Sequence, residues 1–145
     1  MMAAAIAVVA ALGVAALAFA CWWLWRRRPQ ALKTDYFQTQ WHDLQGLLRD
    51  KTKWPEAIAS ADKLLDTALK KKRIRGHTMG ERLVKAQRLF TDNDSVWFGH
   101  KLRNKLDTEP ETKLKEADVK QALVGMRQAL KDVGALPDAE GRISK

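Results

Sequence analysis

"WPEAIASADKLLDTALKKKRIRG", Trp54 to Gly76, decides the fold. Ala57, Ile58, Ala61, Leu64, Leu65, Ala68 and Leu69 recur at helical spacing and lay a broad apolar face along one side of an α-helix. Pro55 suits the first helical turn, where its missing N–H is no loss, and Glu56 complements the positive end of the helix dipole. The stretch closes with Lys70, Lys71, Lys72, Arg73 and Arg75, cations that favour the carboxyl end of a helix, and Gly76 is placed to end it. A helix with so wide an apolar face has to be buried among others.

The flanking segments supply them. Upstream, Lys33 to Arg49 carries Phe37, Trp41, Leu44 and Leu48 on one face. Downstream, Thr78-Met79-Gly80-Glu81 has the form of a capping box and opens a helix that turns Leu83, Val84, Ala86 and Phe90 inward. Asn93 to Ser95 supply the next cap, for a helix through "SVWFGHKLRNKL" whose Phe98, Leu102 and Leu106 share a side. Lys115 to Val133 forms another, with Val119, Leu123, Met126, Leu130 and Val133 as a packing seam and Gly134, Leu136 and Pro137 as its stop. Nothing alternates with period two for long. The reading is all-α: a small four- to five-helix bundle over residues 29–136, then a disordered polar tail over residues 137–145.

Ahead of the bundle lies a different regime. Met1 to Trp25 holds no Asp, Glu, Lys or Arg, and Ala3 to Trp25 is long enough to cross about 30 Å of hydrocarbon as a helix. Trp22, Trp23 and Trp25 cluster where amphipathic rings sit at a headgroup boundary, and Arg26, Arg27 and Arg28 follow at once. Residues 1–28 therefore read as a transmembrane anchor with a basic stop. The arginines belong on the cytoplasmic side, which puts the N-terminus outside and the bundle in the cytoplasm, at the plasma membrane. A cleaved signal peptide would want a positive leading segment, which is missing. Ala18-Phe19-Ala20 before Cys21 is a passable cleavage site, but cutting there would leave three tryptophans at the new start. Ala3, Ala7, Ala11 and Ala15 recur every four residues, a smooth face for self-association that an alanine-rich span also produces by chance.

Composition narrows the chemistry. The single cysteine, Cys21, excludes an intrachain disulfide and a Cys-rich zinc site. The three histidines, His42, His77 and His100, are scattered without metal-ligand spacing, and there is no glycine-rich phosphate loop. No metal and no cofactor is expected. The net charge of +9 favours an acidic neighbour, nucleic acid or an anionic lipid surface, for which Lys70, Lys71, Lys72, Arg73 and Arg75 are the candidate contacts. Lysines and arginines that merely solvate helices give the same count.

"HKLRNKLDTE", His100 to Glu109, carries the one catalytic hint. Arg103 lies one helical turn from both His100 and Asp107, so the plain structural reading is a brace through Asp107 or an acid on a neighbouring helix. With "TMGERLVKAQRLF" before it and "ALKDVGAL" after it, the stretch resembles small helical proteins of the HEPN kind. It is also similar to one-span proteins of candidate-phylum bacteria in which it reads W-x-x-H-x-L-R-N-x-x-x-H-E. The likeness covers about Ala61 to Leu136 and is most specific at Trp97, His100, Leu102, Arg103, Asn104 and Glu109. It implies a helical ribonuclease, working as a dimer, with Arg103 on phosphate and Asn104 as its polar companion. The histidine that family places four to six residues on is replaced by Thr108, whose hydroxyl cannot shuttle protons near neutral pH as an imidazole does. His100 is the only substitute. The expected function is a membrane-anchored helical interaction or scaffolding module without catalysis, its partner a protein or a second copy. The alternatives are a tethered ribonuclease using Arg103, Asn104 and His100, and a basic module binding RNA or anionic lipid.

Overall fold

The computed structural model of the chain describes residues 1–137, so residues 138–145 of the expected tail lie outside it. The described residues are mostly helical, without a strand among them. The chain divides after Gln30 into two units, an apolar helix and a helical bundle.

The first unit is α1, Met2–Arg26, whose 25 residues bury no side chain. At 1.5 Å per residue it is about 37 Å long, and it is long and apolar enough to cross a membrane. Its end is knitted by its own aromatic and basic residues. The Arg26 guanidinium stands 5.2 Å from the Trp22 ring and that of Arg27 only 3.6 Å from the Trp23 ring, cation–π pairs that hold the charges along the helix surface. The helix stops at Arg26 because Pro29 removes a donor and restricts the residue before it.

The second unit holds five α-helices: α2 (Thr34–Leu47), α3 (Trp54–Lys71), α4 (Met79–Ala86), α5 (Asn93–Thr108) and α6 (Glu116–Asp132). The central helix is α3, which packs against the other four, while α5 and α6 make the most extensive pairing. Every residue of the apolar face expected on α3 is buried, and so is every residue of the seam on α6. Phe37, Ile58, Leu65, Leu69, Leu83, Met126 and Leu130 form the innermost layer. Two glycines set the α5–α6 approach. A Cβ on Gly125 would come within 2.5 Å of the Ser95 Cβ and 2.7 Å of its carbonyl carbon, and one on Gly99 within 2.8 Å of the Met126 Cε. At Gly125 the obstacle is backbone, so only hydrogen permits so close a crossing, whereas at Gly99 the flexible end of Met126 could give way.

Local chemistry fixes most of the boundaries, with four corrections to the expected details. Thr78 caps α4 by accepting from the Glu81 N–H at 3.2 Å, but Glu81 returns its bond to the His77 N–H, at 2.7 Å. The α5 cap is Asp92, which accepts from the Ser95 N–H at 3.0 Å, and Asn93 is already helical. Val84 faces solvent, because the short α4 turns Arg82, Leu83 and Ala86 inward instead. Gly76 does not close α3. The left-handed residue there is Arg73, at φ 61°, with Ile74 N–H bonding to the Leu69 carbonyl and Arg73 N–H to that of Lys70. This is a Schellman turn with arginine where glycine is usual, fixed by Ile74 packing back on the core. Gly134 makes the equivalent turn after α6, at φ 80°, with Ala135 bonding back to Leu130. The loop before α5 is tied to the end of α6, since the Thr91 N–H and hydroxyl both donate to the Asp132 carboxylate.

Candidate functional site

On α5 the buried side runs through Val96, Gly99, His100 and Leu106, while Phe98 and Leu102 are only half-buried. The expected apolar arc is thus rotated, and the residue it brings inward is a histidine. What allows this lies on α3. Asp62 falls within the apolar face of that helix, beside Ala61 and one turn from Ile58, and is only 4% exposed. A buried acid needs a partner, and the α3–α5 packing provides one.

The His100 Nδ1 lies 2.9 Å from the Asp62 Oδ1, both side chains being buried. On its outer side the His100 Nε2 lies 3.3 Å from the Asn104 Nδ2. Arg103 reaches Asn104 Oδ1 at 3.2 Å and Asp107 Oδ2 at 3.1 Å through Nη1, and its Nε stands 4.0 Å from the Asp62 Oδ2. The direction of the chain follows from donor capacity. A guanidinium only donates, so the Asn104 oxygen turns to it; the Asn104 amide then donates to Nε2, and Nδ1 carries the hydrogen given to Asp62. Arg103 sets the His100 tautomer through Asn104. The Trp97 ring closes the near side, edge-on to the imidazole at 6.0 Å between centroids.

A second polar clamp lies one turn further along α3. Asp66, one turn beyond Asp62, accepts from Arg82 Nε at 2.6 Å and pairs with Lys70 Nζ at 2.8 Å. Arg82 is itself buried and also donates through Nη1 to the Gly76 carbonyl. This explains Gly76: a Cβ there would meet the Arg82 Cγ and backbone nitrogen at 3.0 Å. Burial alone would raise the Asp66 carboxyl, but hydrogen bonds from Arg82 and Lys70 and their positive charges outweigh it and hold the group below the usual carboxylate value.

Between the clamps opens a shallow cavity of about 320 Å³ lined by Glu56, Asp62, Lys63, Asp66, Met79 and Arg103 among others. Three carboxylates face two cations there, so a phosphate would meet more repulsion than attraction. Arg103 is already engaged by acids. Thr108, standing where the HEPN likeness wants a histidine, spends its hydroxyl on the Asn104 and Lys105 carbonyls of its own last turn.

The basic run does not present a flat array. Lys70 pairs with Asp66, the Lys71 Nζ lies over the Tyr36 ring at 5.2 Å, and Lys72 is half-buried, which leaves Arg73 and Arg75 exposed across the Schellman turn. His42 and His77 are exposed and apart from the His100 cluster. Among the described residues no group of three or more His, Cys, Asp or Glu gathers in a metal-binding arrangement. Asp62 and Asp66 are the site residues that reading the sequence passed over. The signal was there, an acid inside an apolar helical face, but its partner stands 38 residues away. Comparison of the chain with protein-family models, with curated proteins and with solved structures finds no match.

Proposed function

We propose that this chain is a membrane-anchored helical interaction module, its N-terminus outside and its bundle in the cytoplasm, in which Arg103, Asn104 and His100 brace the fold and do not cut RNA. One observation carries the reading: both nitrogens of the buried His100 are occupied, Nδ1 by Asp62 and Nε2 by Asn104. A general base needs a nitrogen within reach of substrate. Here the one imidazole near Arg103 is spent on holding α5 to α3. The anchor rests on α1, with its apolar length and the arginines at its end.

The test uses the full chain in phospholipid nanodiscs. The interaction reading expects labelled single-stranded RNA to stay intact at the background rate, and a protein partner or second copy to remain bound through high salt and nuclease treatment. Cleavage that disappears in Arg103→Ala while the fold persists would establish the ribonuclease alternative instead. RNA or anionic-lipid binding that falls steeply with salt and with charge reversal at Arg73 and Arg75 would establish the basic-module alternative.

A further inference from the structure

An apolar opening of the bundle lies away from the His100 cluster, between α2, the start of α3 and α6. It has a volume of about 550 Å³, within the range of roughly 300–1,000 Å³ typical of small-molecule sites. Trp41 of α2, Leu48 just past its end, Trp54 at the head of α3, and Val119, Leu123 and Val124 of α6 form its apolar lining. Val124 is 59% exposed, an aliphatic side chain facing water within this lining.

The polar groups at the opening are unequally matched. Lys120 and Arg127 stand on α6 on either side of Val124, and neither makes a salt bridge among the described residues. Seven residues of helix put them about 10 Å apart along the axis. The two tryptophans differ. Trp54 donates its indole N–H to the Leu48 carbonyl at 3.1 Å, whereas the Trp41 N–H is buried without an acceptor. The only acid lining the groove is Glu116, beyond Lys120 from Val124. The lining therefore offers an apolar bed and two cations without a salt bridge among the described residues.

We infer that this groove binds a long-chain carboxylate, with the acyl chain lying on Trp41, Trp54, Leu123 and Val124 and the anionic head taken by Lys120 or Arg127. A neutral chain would leave both cations without a counter-charge. A cationic amphiphile would be repelled at the rim.

A photoreactive probe tests this in the full chain in phosphatidylcholine nanodiscs. Dodecanoate bearing a chain-terminal diazirine is irradiated with the protein and the adducts are mapped by peptide mass spectrometry. Dodecanol and dodecyltrimethylammonium with the same diazirine serve as matched probes. Adducts are expected on the segments 41–54 and 119–127, roughly tenfold more abundant for the carboxylate than for either matched probe. Lys120→Glu combined with Arg127→Glu should remove that preference, and Val124→Trp, which fills the opening from an exposed position, should remove the adducts while leaving helical circular dichroism unchanged. Equal labelling by all three probes would overturn the proposal in favour of a general apolar patch. Adducts confined to α1, or adducts indifferent to both variants, would overturn it as well.

Discussion

Asp62 and His100 show how a polar pair can sit in a small core without weakening it. Each alone would be a buried group short of a partner; together they close a chain that runs out through Asn104 to the half-exposed Arg103. Removing one member is therefore worse than removing both. His100→Leu should cost about 1.5–3 kcal/mol, because the buried Asp62 carboxyl then loses its hydrogen-bond partner. Asp62→Leu combined with His100→Leu should recover much of that loss, since two well-packed apolar side chains can replace a buried polar pair at little cost. Denaturant titration of the two variants, beside Asp62→Leu alone, completes the cycle; additive losses would mean the residues do not act as a pair. The residue types were readable, and so was the brace role of Arg103 toward Asp107. The Asp62 partnership was not, because no local spacing links residues on separate helices.

At the scale of elements, the α5–α6 crossing depends on the missing side chain at Gly125. Gly125 lies against the Ser95 backbone, and backbone cannot yield as the end of a flexible side chain can. Gly125→Ala should destabilise the bundle by about 1–3 kcal/mol through overpacking, despite the better helix propensity of alanine. Gly46, on the exposed side of α2 with nothing within 4 Å, provides the control: Gly46→Ala should be neutral or slightly stabilising by thermal melting. Sequence periodicity placed α3 and α6 with their buried faces correct, because a stripe of apolar residues is a local property of one helix. It misassigned Val84 and the Gly76 turn. In both cases the deciding contact, Arg82 on Asp66 and Gly76 or Ile74 on the core, joins parts of the chain that only packing brings together.

Across the whole bundle, several caps and clamps share one electrostatic signature. Asp50, Glu81 and Asp92 are held below their usual values chiefly by hydrogen bonds, from Thr52, the His77 backbone and Ser95 respectively, and Asp66 by Arg82 and Lys70 against its burial. A carboxyl whose folded value is depressed contributes stability that is complete above its unfolded value, near 4. That contribution disappears as pH falls through the folded value. The melting temperature should accordingly hold between pH 7 and about 5 and fall steeply below about 4. Asp66→Asn should melt lower than the parent at pH 7, with the difference narrowing in acid. A difference that stays constant down to pH 2 would show that Asp66 acts through packing alone.

What the amino-acid order determined by itself is everything that depends on near neighbours along the chain. That covers an uncharged apolar helix of spanning length ended by arginines, the absence of strands among the described residues, and the amphipathic helices with their inward seams on α3 and α6. Helical period, hydropathy and capping chemistry act within a few residues and can be read there. The tertiary structure alone decided that His100 turns inward to Asp62, that Arg73 takes the left-handed turn, and that α2, α3 and α6 leave an apolar groove rimmed by Lys120 and Arg127. Each of these depends on the packing of distant segments, which assigns partners that no spacing along the chain encodes.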